Sequence, residues 1–264
     1  MYNNILDRIL ETKKEELDGF QMPEPMPRSE KYSLREALSR PHHALGLIAE
    51  VKQASPSKGL FREKMNVPAI AESYEHAGAD AVSVLTDRTY FHGSAENLIK
   101  VRKSVRLPVL RKDFIIDERQ IEEAFRIGAD AVLLIAAALE PDLLYELYLA
   151  ARERGLESLV EVHRIEEAEA VLSKFTPEIM GVNNRDLKTF ETKLEVTAAL
   201  QGTIPEDVVL VSESGVQSAA DVMYLKNHGA DAALVGEVLI RAHSPREKVR
   251  ELFGREVNEH AARA

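Results

Sequence analysis

Apolar residues recur along the chain in short runs, and the clearest runs follow a helical stretch that ends in glycine. The segment Gly-Ala-Asp-Ala occurs at residues 78–81, 128–131 and 229–232, and each copy leads into an apolar run. The copies are 50 and 101 residues apart, close to two and four units of about 25 residues, and such a unit holds one strand, one helix and short loops. Glycine suits a helix end because it adopts positive φ without strain. The pattern therefore predicts a repeat of helix, glycine cap and strand.

Filling the gaps at this period predicts eight strands. Several candidates are continuously apolar, which is typical of parallel strands covered on both faces. Eight strands alternating with helices predict an α/β fold, a (β/α)8 TIM barrel over residues 47–264. An open doubly wound sheet is the alternative, although no Gly-x-Gly-x-x-Gly follows the first strand. The candidate strands are residues 47–52, 82–85, 108–112, 132–135, 159–162, 178–183, 208–212 and 233–235.

Residues 1–46 precede the first strand and predict a helical extension of the same single domain. Residues 5–17 show the spacing of an amphipathic helix, and three prolines in residues 21–27 exclude a helix there. Ser33 and Glu36 have the spacing of a capping box that opens a second short helix. Spacing alone leaves open whether the extension plugs the bottom of the barrel or lies over its active face.

Composition narrows the class of protein. The 264 residues are 45% hydrophobic and 30% charged, which is typical of a globular protein. The longest apolar run, 131–139, is too short for a membrane span of about 20 residues. The absence of cysteine excludes disulfides and thiolate chemistry and favours a cytoplasmic location. A net charge of −10 argues against a nucleic-acid surface but leaves room for a local basic pocket that binds a small anion.

Charged residues end several of the apolar strands. Catalytic groups of a barrel lie at the carboxyl ends of its strands, so these residues are expected at one mouth. Burying charge is costly unless the groups are paired or used, which favours an acid–base site over a structural ion-pair network, although such networks also occur. The residues concerned are Glu50, Lys52, Lys112, Glu161 and Glu213.

The histidines give no convincing metal signature. His163 follows Glu161 by two residues and is a candidate catalytic acid, metal ligand or cap of the next helix, of which we favour the cap. The adjacent His42 and His43 precede the first strand, and we expect both at the surface. No histidine pair has ligand spacing, so no metal is expected.

Glycines after the last two strands predict a phosphate ligand. Ser214 and Gly215 follow the seventh strand, and Gly236 and Glu237 follow the eighth. Barrels often bind phosphate at these two loops through backbone N–H groups. The alternative is that the glycines only make tight turns.

Seven segments carry a resemblance to a known family: residues 49–59, 86–94, 110–115, 159–163, 181–187, 212–215 and 234–237. They resemble the indole-3-glycerol-phosphate synthase family. The resemblance covers nearly the whole chain. It implies a (β/α)8 barrel with an N-terminal extension packed over the active face. It also implies a cofactor-free lyase of tryptophan biosynthesis, which converts 1-(2-carboxyphenylamino)-1-deoxyribulose 5-phosphate to indole-3-glycerol phosphate, CO2 and water.

The resemblance also implies roles for individual residues. Lys112 resembles the general acid, Glu161 the second acid/base group and Glu50 the carboxylate that assists dehydration. Glu237 departs from the serine of some relatives: it can point away if backbone N–H groups hold the phosphate, and otherwise the affinity for the phosphate should be lower. Lys52 and Arg185 are implied to meet substrate anions, Asn183 and Glu213 to orient the substrate, and Ser55, Ser214, Gly215, Gly236 and Glu237 to contact the phosphate or substrate.

The chemistry is compatible with these residue types on independent grounds. A lysine can protonate a ketone if a neighbouring cation and partial burial lower its pKa, so we expect Lys52 to lower the pKa of Lys112. Clustered glutamates repel one another, so one of them is expected to stay protonated near neutral pH. Phe91, Phe114 and Leu187 are candidates to enclose the aromatic ring of the substrate.

Three other functions remain as alternatives. A sister barrel such as phosphoribosylanthranilate isomerase would need a catalytic cysteine, which this chain lacks. A Schiff-base aldolase would use Lys112 as the nucleophile. A non-catalytic phosphate-binding barrel would not need three carboxylates facing an anionic ligand. We expect a monomer that binds a small phosphorylated substrate, with no nucleic-acid or membrane partner and at most weak association with other enzymes of the tryptophan pathway.

Overall fold

A closed barrel of eight parallel strands forms the centre of the computed structural model, which describes residues 5–27, 30–56, 58–61, 65–186 and 189–254. Strands β1 and β4 to β10 close the barrel in the order β1-β10-β9-β8-β7-β6-β5-β4, and β2 pairs with β3 in a small hairpin. The strands are β1 (Gly46–Val51), β2 (Ala54–Ser55), β3 (Gly59–Leu60), β4 (Ala81–Leu85), β5 (Val109–Lys112), β6 (Ala131–Ile135), β7 (Glu157–Val162), β8 (Ile179–Asn183), β9 (Val209–Glu213) and β10 (Ala232–Val235).

Helices follow the barrel strands and cover the sheet. The predicted barrel and all eight strand positions are confirmed, with ends that differ by one or two residues. The helices are α1 (Ile5–Asp18), α2 (Leu34–Ser39), α3 (Val67–Glu75), α4 (Ala95–Ser104), α5 (Glu118–Arg126), α6 (Pro141–Glu153), α7 (Ile165–Lys174), α8 (Glu195–Leu200), α9 (Ala219–Asn227), α10 (Glu237–Ile240) and α11 (Pro245–Phe253), with a 3-10 turn at Ala136–Ala138. Within the described ranges no helix is both long enough and apolar enough to cross a membrane.

The repeated segment has a structural purpose at each of its positions. Gly78, Gly128 and Gly229 have φ of 84°, 90° and 81°, so each ends its helix in the left-handed conformation that the sequence predicted. The aspartate two residues later accepts a hydrogen bond from a backbone N–H at the start of the preceding barrel strand. These pairs are Asp80 with Leu47 at 2.8 Å, Asp130 with Val109 at 3.0 Å and Asp231 with Leu210 at 2.8 Å.

The N-terminal extension does both of the things that the sequence left open. Leu34 and Leu38 of α2 are buried against the inward-facing side chains of the strands and seal the bottom of the barrel. Ser33 caps α2 by accepting from the Glu36 N–H at 3.0 Å, while its hydroxyl donates to Glu157 at the start of β7 at 2.6 Å. The capping box is only half formed, because the Glu36 carboxylate pairs with Arg40. Helix α1 lies at the opposite end, over the mouth.

The expectation that His42 and His43 lie at the surface is wrong for His43. Its side chain is buried, with Nε2 3.2 Å from the Ala77 carbonyl oxygen and its ring 5.9 Å from that of Phe253. His42 is half exposed and holds Asp80 through Nδ1 at 2.7 Å. No pattern along the chain indicated that α11 packs against this segment before β1.

Candidate active site

The residues that the sequence singled out line one cavity at the carboxyl ends of the barrel strands. All the catalytic and substrate-binding candidates are brought together there, although their roles stay predictions. Leu187 lies outside the described residues. The candidates around the cavity are Glu50, Lys52, Ser55, Phe91, Lys112, Phe114, Glu161, Asn183, Arg185, Glu213, Ser214, Gly215, Gly236 and Glu237.

Two glycines make room for the carboxylates inside the barrel. Gly181 of β8 faces Glu213, and a Cβ at Gly181 would clash with Glu213 Oε1. Gly236 faces Glu50 in the same way, and a Cβ there would clash with Glu50 Oε2. Gly236 was proposed only as a phosphate contact, and the structure gives it this second purpose. The Glu213 and Glu50 side chains therefore fit inside the mouth because the facing residues, Gly181 and Gly236, have no side chain.

Lys112 lies at the centre of the charged cluster. Its Nζ is 2.7 Å from Glu213 Oε2 and 3.5 Å from Glu161 Oε2. The Glu213 and Glu161 side chains are almost fully buried, and that of Lys112 is 15% exposed. Burial lowers the pKa of Lys112, but the charges of Glu213, Glu161 and Glu50 outweigh it and raise that pKa above its usual value.

The expected lowering of the Lys112 pKa by Lys52 is therefore wrong in direction. The Lys52 ammonium pairs directly with the Glu50 carboxylate. Burial raises the pKa of Glu50, whereas Lys52 and Lys112 outweigh burial and hold that pKa below its usual value. Lys52 forms its ion pair with Glu50, and the sequence pattern did not predict this partner.

One carboxyl of the cluster holds a proton near neutral pH, as the sequence predicted. Burial raises the pKa of Glu213 to about 7, with Lys112 opposing the shift and the Glu161 charge adding to it. Burial also acts on Glu161, but Lys112 and His163 outweigh it and lower the Glu161 pKa. The two carboxyl groups thus differ in charge state because of their surroundings, and Glu213 is the protonated member.

The loops after β9 and β10 form a corner of exposed backbone. Ser214 and Gly215 have positive φ of 66° and 104°, and Gly236 precedes the short helix α10. The Glu237 carboxylate turns to Arg241, 3.1 Å from its Nε. Glu237 therefore pairs within its own helix, and its part in binding a phosphate stays a prediction.

Asn184 shapes this corner, and sequence reasoning missed it. Its Nδ2 donates to the Glu213 carbonyl at 3.0 Å and to the Ser214 carbonyl at 3.0 Å, and its Oδ1 accepts from the Thr197 N–H and hydroxyl. Asn184 therefore fixes the end of β9 from a neighbouring strand. A polar residue at the end of an apolar strand, next to the predicted Asn183, was the available signal.

An apolar wall closes the other side of the cavity. The rings of Phe91 and Phe114 lie 6.1 Å apart, and Ile5, Leu6 and Ile9 of α1 line the same cavity. The three α1 residues were missed as site residues because the family resemblance placed the extension over the active face without naming the residues that line the cavity.

Helix α1 is anchored beside the cavity by a buried lysine. Lys13 Nζ lies 2.8 Å from Asp87 Oδ2 and 3.1 Å from Asp113 Oδ1, with all three side chains almost fully buried. Asp113 directly follows Lys112 and also pairs with Arg111 at 3.3 Å. The signal was in the sequence: Ile9, Lys13 and Leu17 share one helical face, so a lysine interrupts the apolar stripe of α1.

Fold and site together define a (β/α)8-barrel enzyme with a buried cluster of lysine and carboxyl groups, an apolar wall and a corner of exposed backbone. Comparison with known proteins identifies it further. The family model for indole-3-glycerol phosphate synthase matches residues 6–252. The chain belongs to the indole-3-glycerol phosphate synthase family.

Its relatives match it over nearly their whole length. The indole-3-glycerol phosphate synthase of Geobacillus thermodenitrificans is 54% identical over 250 residues, which cover 95% of this chain and 97% of the relative. That of Bacillus velezensis is 52% identical over 250 residues, which cover 95% of this chain and 100% of the relative.

Solved structures of lower identity share the fold. A chain of the tryptophan synthase complex of Pyrococcus furiosus has a TM-score of 0.60 at 13% identity, covering 81% of this chain and 99% of that one. Thiamine phosphate pyrophosphorylase of Pyrococcus furiosus has a TM-score of 0.59 at 18% identity, covering 80% of this chain and 95% of that one. These likenesses support the barrel alone.

Proposed function

We propose that this protein converts 1-(2-carboxyphenylamino)-1-deoxyribulose 5-phosphate to indole-3-glycerol phosphate, CO2 and water by general acid–base catalysis. The observation that carries the proposal is the position of Lys112. Its ammonium group faces a cavity with Glu213 at 2.7 Å and Glu161 at 3.5 Å, between an apolar wall and a backbone corner. The reaction needs proton donors and acceptors around an aromatic group and two anionic groups of the substrate.

Lys112 is the general acid of ring closure. The ring carbon that bears the carboxylate attacks the ketone carbon, and the ketone oxygen takes a proton from the ammonium group. The surrounding carboxylates raise the pKa of Lys112, so the lysine stays protonated until the oxygen becomes an alkoxide, a much stronger base than an amine. Glu213, with a pKa of about 7, is placed to return a proton to the amine.

Decarboxylation and dehydration follow from the ring-closed product. Loss of CO2 returns the bonding electrons to the ring and restores its aromaticity. The hydroxyl then leaves with an added proton as water, and the carbon next to nitrogen loses a proton to complete the indole. Glu161 and Glu50, both at the cavity, serve these two transfers, each of which is general acid–base catalysis by a carboxyl group.

The remaining residues orient the substrate. Lys52 and Arg185 are the cations of the cavity wall suited to the substrate carboxylate, and Phe91 with Phe114 encloses its ring. Asn183 hydrogen-bonds Glu161 and orients it towards the substrate. Glu213 orients the substrate through Lys112, with which it forms an ion pair at 2.7 Å. The phosphate is assigned to the backbone corner and the first loop, through Ser55, Ser214, Gly215, Gly236 and Glu237.

We also propose that the protein works without metal or cofactor, as a cytoplasmic monomer that associates at most weakly with other enzymes of tryptophan biosynthesis. The lysine and carboxyl groups of the cavity supply every proton transfer that the reaction needs. The absence of cysteine and the net charge of −10 support the location and argue against a nucleic-acid partner. Sedimentation of the purified protein tests the oligomeric state.

A turnover assay tests the proposed function. Purified protein is mixed with the carboxyphenylamino-deoxyribulose phosphate in EDTA, and the absorbance and fluorescence of the indole product are followed. The chain contains no tryptophan, so the protein contributes little background. Product formation in EDTA supports the proposal. Folded protein that forms no product would contradict it, and a lysine adduct trapped with borohydride would point to a Schiff-base aldolase instead.

A further inference from the structure

His163 joins the acid–base cluster to the rim of the barrel. Among the described residues no group of three or more His, Asp or Glu side chains is arranged to hold a metal ion, and a capping role does not explain the position of His163. Its Nε2 lies 3.4 Å from Glu161 Oε1, and its Nδ1 lies 3.5 Å from Glu167 Oε2. Neither ring nitrogen has a hydrogen-bond partner elsewhere in the described part of the chain. The expectation that His163 caps the following helix is wrong, because Arg164 occupies the N-cap position of α7 without a side-chain bond.

The contacts from Glu161 through His163 and Glu167 to Arg164 lead from the cavity towards solvent. The Glu161 side chain is 4% exposed and that of His163 is 9% exposed, whereas Arg164 is 67% exposed. Glu167 lies between them, accepting from the His163 N–H at 2.7 Å and from Arg164 Nε at 2.9 Å. Two carboxylates thus face the two ring nitrogens of one histidine, an arrangement that lets the imidazole take a proton on one side and give one on the other.

The proposed reaction requires such a path. Protonation of the ketone oxygen and of the leaving hydroxyl uses two protons, and the carbon next to nitrogen returns one. The substrate carboxylate leaves as neutral CO2. Each turnover therefore takes up one proton from solvent, and the cluster that supplies it is buried beneath the substrate.

We propose that His163 is the proton-relay residue that reprotonates Glu161 from solvent, with Glu167 as its orienting partner at the rim. This inference rests on the proposed function. His163 does not touch the reacting atoms: it acts through Glu161, and Glu167 holds the imidazole in place. Glu167 is itself fixed by its bonds to the His163 backbone and to Arg164.

The charges around His163 favour the protonated imidazole. The facing groups are Glu161 on β7, Glu167 on α7 and Glu213 on β9, with Lys112 behind Glu161 and Arg164 behind Glu167. Burial lowers the pKa of His163, but Glu167 and Glu161 outweigh it and raise that pKa above its usual value. The imidazolium is therefore more favoured than in a free histidine and is lost as the pH rises through the raised pKa, so the relay sets a basic limit on kcat.

The pH profiles of kcat for His163→Ala and Glu167→Gln test the relay. We expect His163→Ala to lower kcat about tenfold, less than the roughly 10²- to 10⁴-fold loss for a group that acts on the substrate itself. KM should change little, and added imidazole should restore kcat. Glu167→Gln removes the charge that raises the His163 pKa, so its basic limit should move to lower pH.

The controls separate a relay from a structural role. His76→Ala removes an exposed histidine whose ring bonds only its own helix, at the Glu72 carbonyl, and should leave the profile unchanged with or without imidazole. A kcat that falls equally at all pH values in His163→Ala, without rescue by imidazole, overturns the relay, as does an unchanged basic limit in Glu167→Gln. If wild-type protein forms no indole product, the proposed function and the relay fall together. Turnover by the wild type with unaffected variants overturns the relay alone.

Discussion

Lys112 Nζ lies 2.7 Å from Glu213 Oε2, and Glu213 is among the most deeply buried charged residues of the barrel mouth. Burial alone would drive protons off the lysine and onto the carboxyl. The surrounding carboxylates reverse the first effect, so Lys112 is a cation and Glu213 titrates near neutral pH. Both groups of the pair can therefore donate a proton beside the position assigned to the ketone oxygen.

Glu213 should make stability depend on pH in a definite direction. Its pKa is raised from 4.5 to about 7 in the folded protein, so its contribution is fully present below 4.5 and is lost as the pH rises through about 7. Glu213→Gln cannot titrate. The Tm of this variant minus that of wild type should therefore increase as the pH rises from 5 to 8. The increase should be about 2–4 °C for each kcal/mol of stability that wild type loses as Glu213 ionises. Glu36→Gln, at an exposed helix position, should show no such trend, and a constant difference for Glu213→Gln would rule out titration of Glu213 in this range.

Removing the proposed acid–base groups should reduce the chemical step more than binding. Lys112→Ala and Glu161→Gln should each lower kcat by about 10²- to 10⁴-fold, with a smaller change in KM, because these groups act in the transition state. Steady-state kinetics with the carboxyphenylamino-deoxyribulose phosphate measures both constants. A variant with unchanged kcat would remove its residue from the mechanism.

The barrel could be predicted because each of its strand–helix units is specified by residues that are close together in the sequence. The period of about 25 residues, the glycine after each helix and the continuously apolar strands together specify strand–helix units, and the carboxyl end of each strand then identifies Glu50, Lys112, Glu161 and Glu213 as neighbours. Pairing within that group could not be predicted. Lys52 bonds Glu50 instead of approaching Lys112, and that choice depends on side-chain directions inside the closed barrel.

The position of the N-terminal extension on the barrel was likewise beyond what the sequence pattern could predict. An amphipathic pattern identifies a helix and its buried face, but it does not say which end of the barrel that face covers. Spacing therefore predicted α1 and α2 without distinguishing that Ile9 lies at the mouth and Leu34 at the bottom. The family resemblance implied an extension over the active face, which holds for α1 and not for α2. The lysine in the stripe of α1 was the one local clue, since its partners Asp87 and Asp113 lie at the mouth.

Gly181→Ala should disturb catalysis while the barrel stays folded. The added Cβ would clash with Glu213 Oε1, the end of a side chain that can move, so Glu213 should swing away and lose its short contact with Lys112. We expect kcat to fall about tenfold or more, because reprotonation of the lysine depends on that contact. Gly202→Ala, where a Cβ meets nothing within 4 Å, is the matched control. Equal kcat for both variants would show that the Glu213 position does not matter for turnover.

Lys13→Met should weaken both the fold and the mouth. The substitution keeps most of the apolar stem but leaves Asp87 and Asp113 without their shared cation in a buried position, and removing one partner of such a group costs about 3–5 kcal/mol. Because α1 lines the cavity, its loosening should also raise KM for the substrate. Lys14→Met, one residue along at a side chain that is 67% exposed, should change stability by no more than about 0.5 kcal/mol. Urea unfolding and steady-state kinetics on both variants measure the two effects, and equal stability of the two would mean that the Lys13 ion pairs do not hold α1 over the mouth.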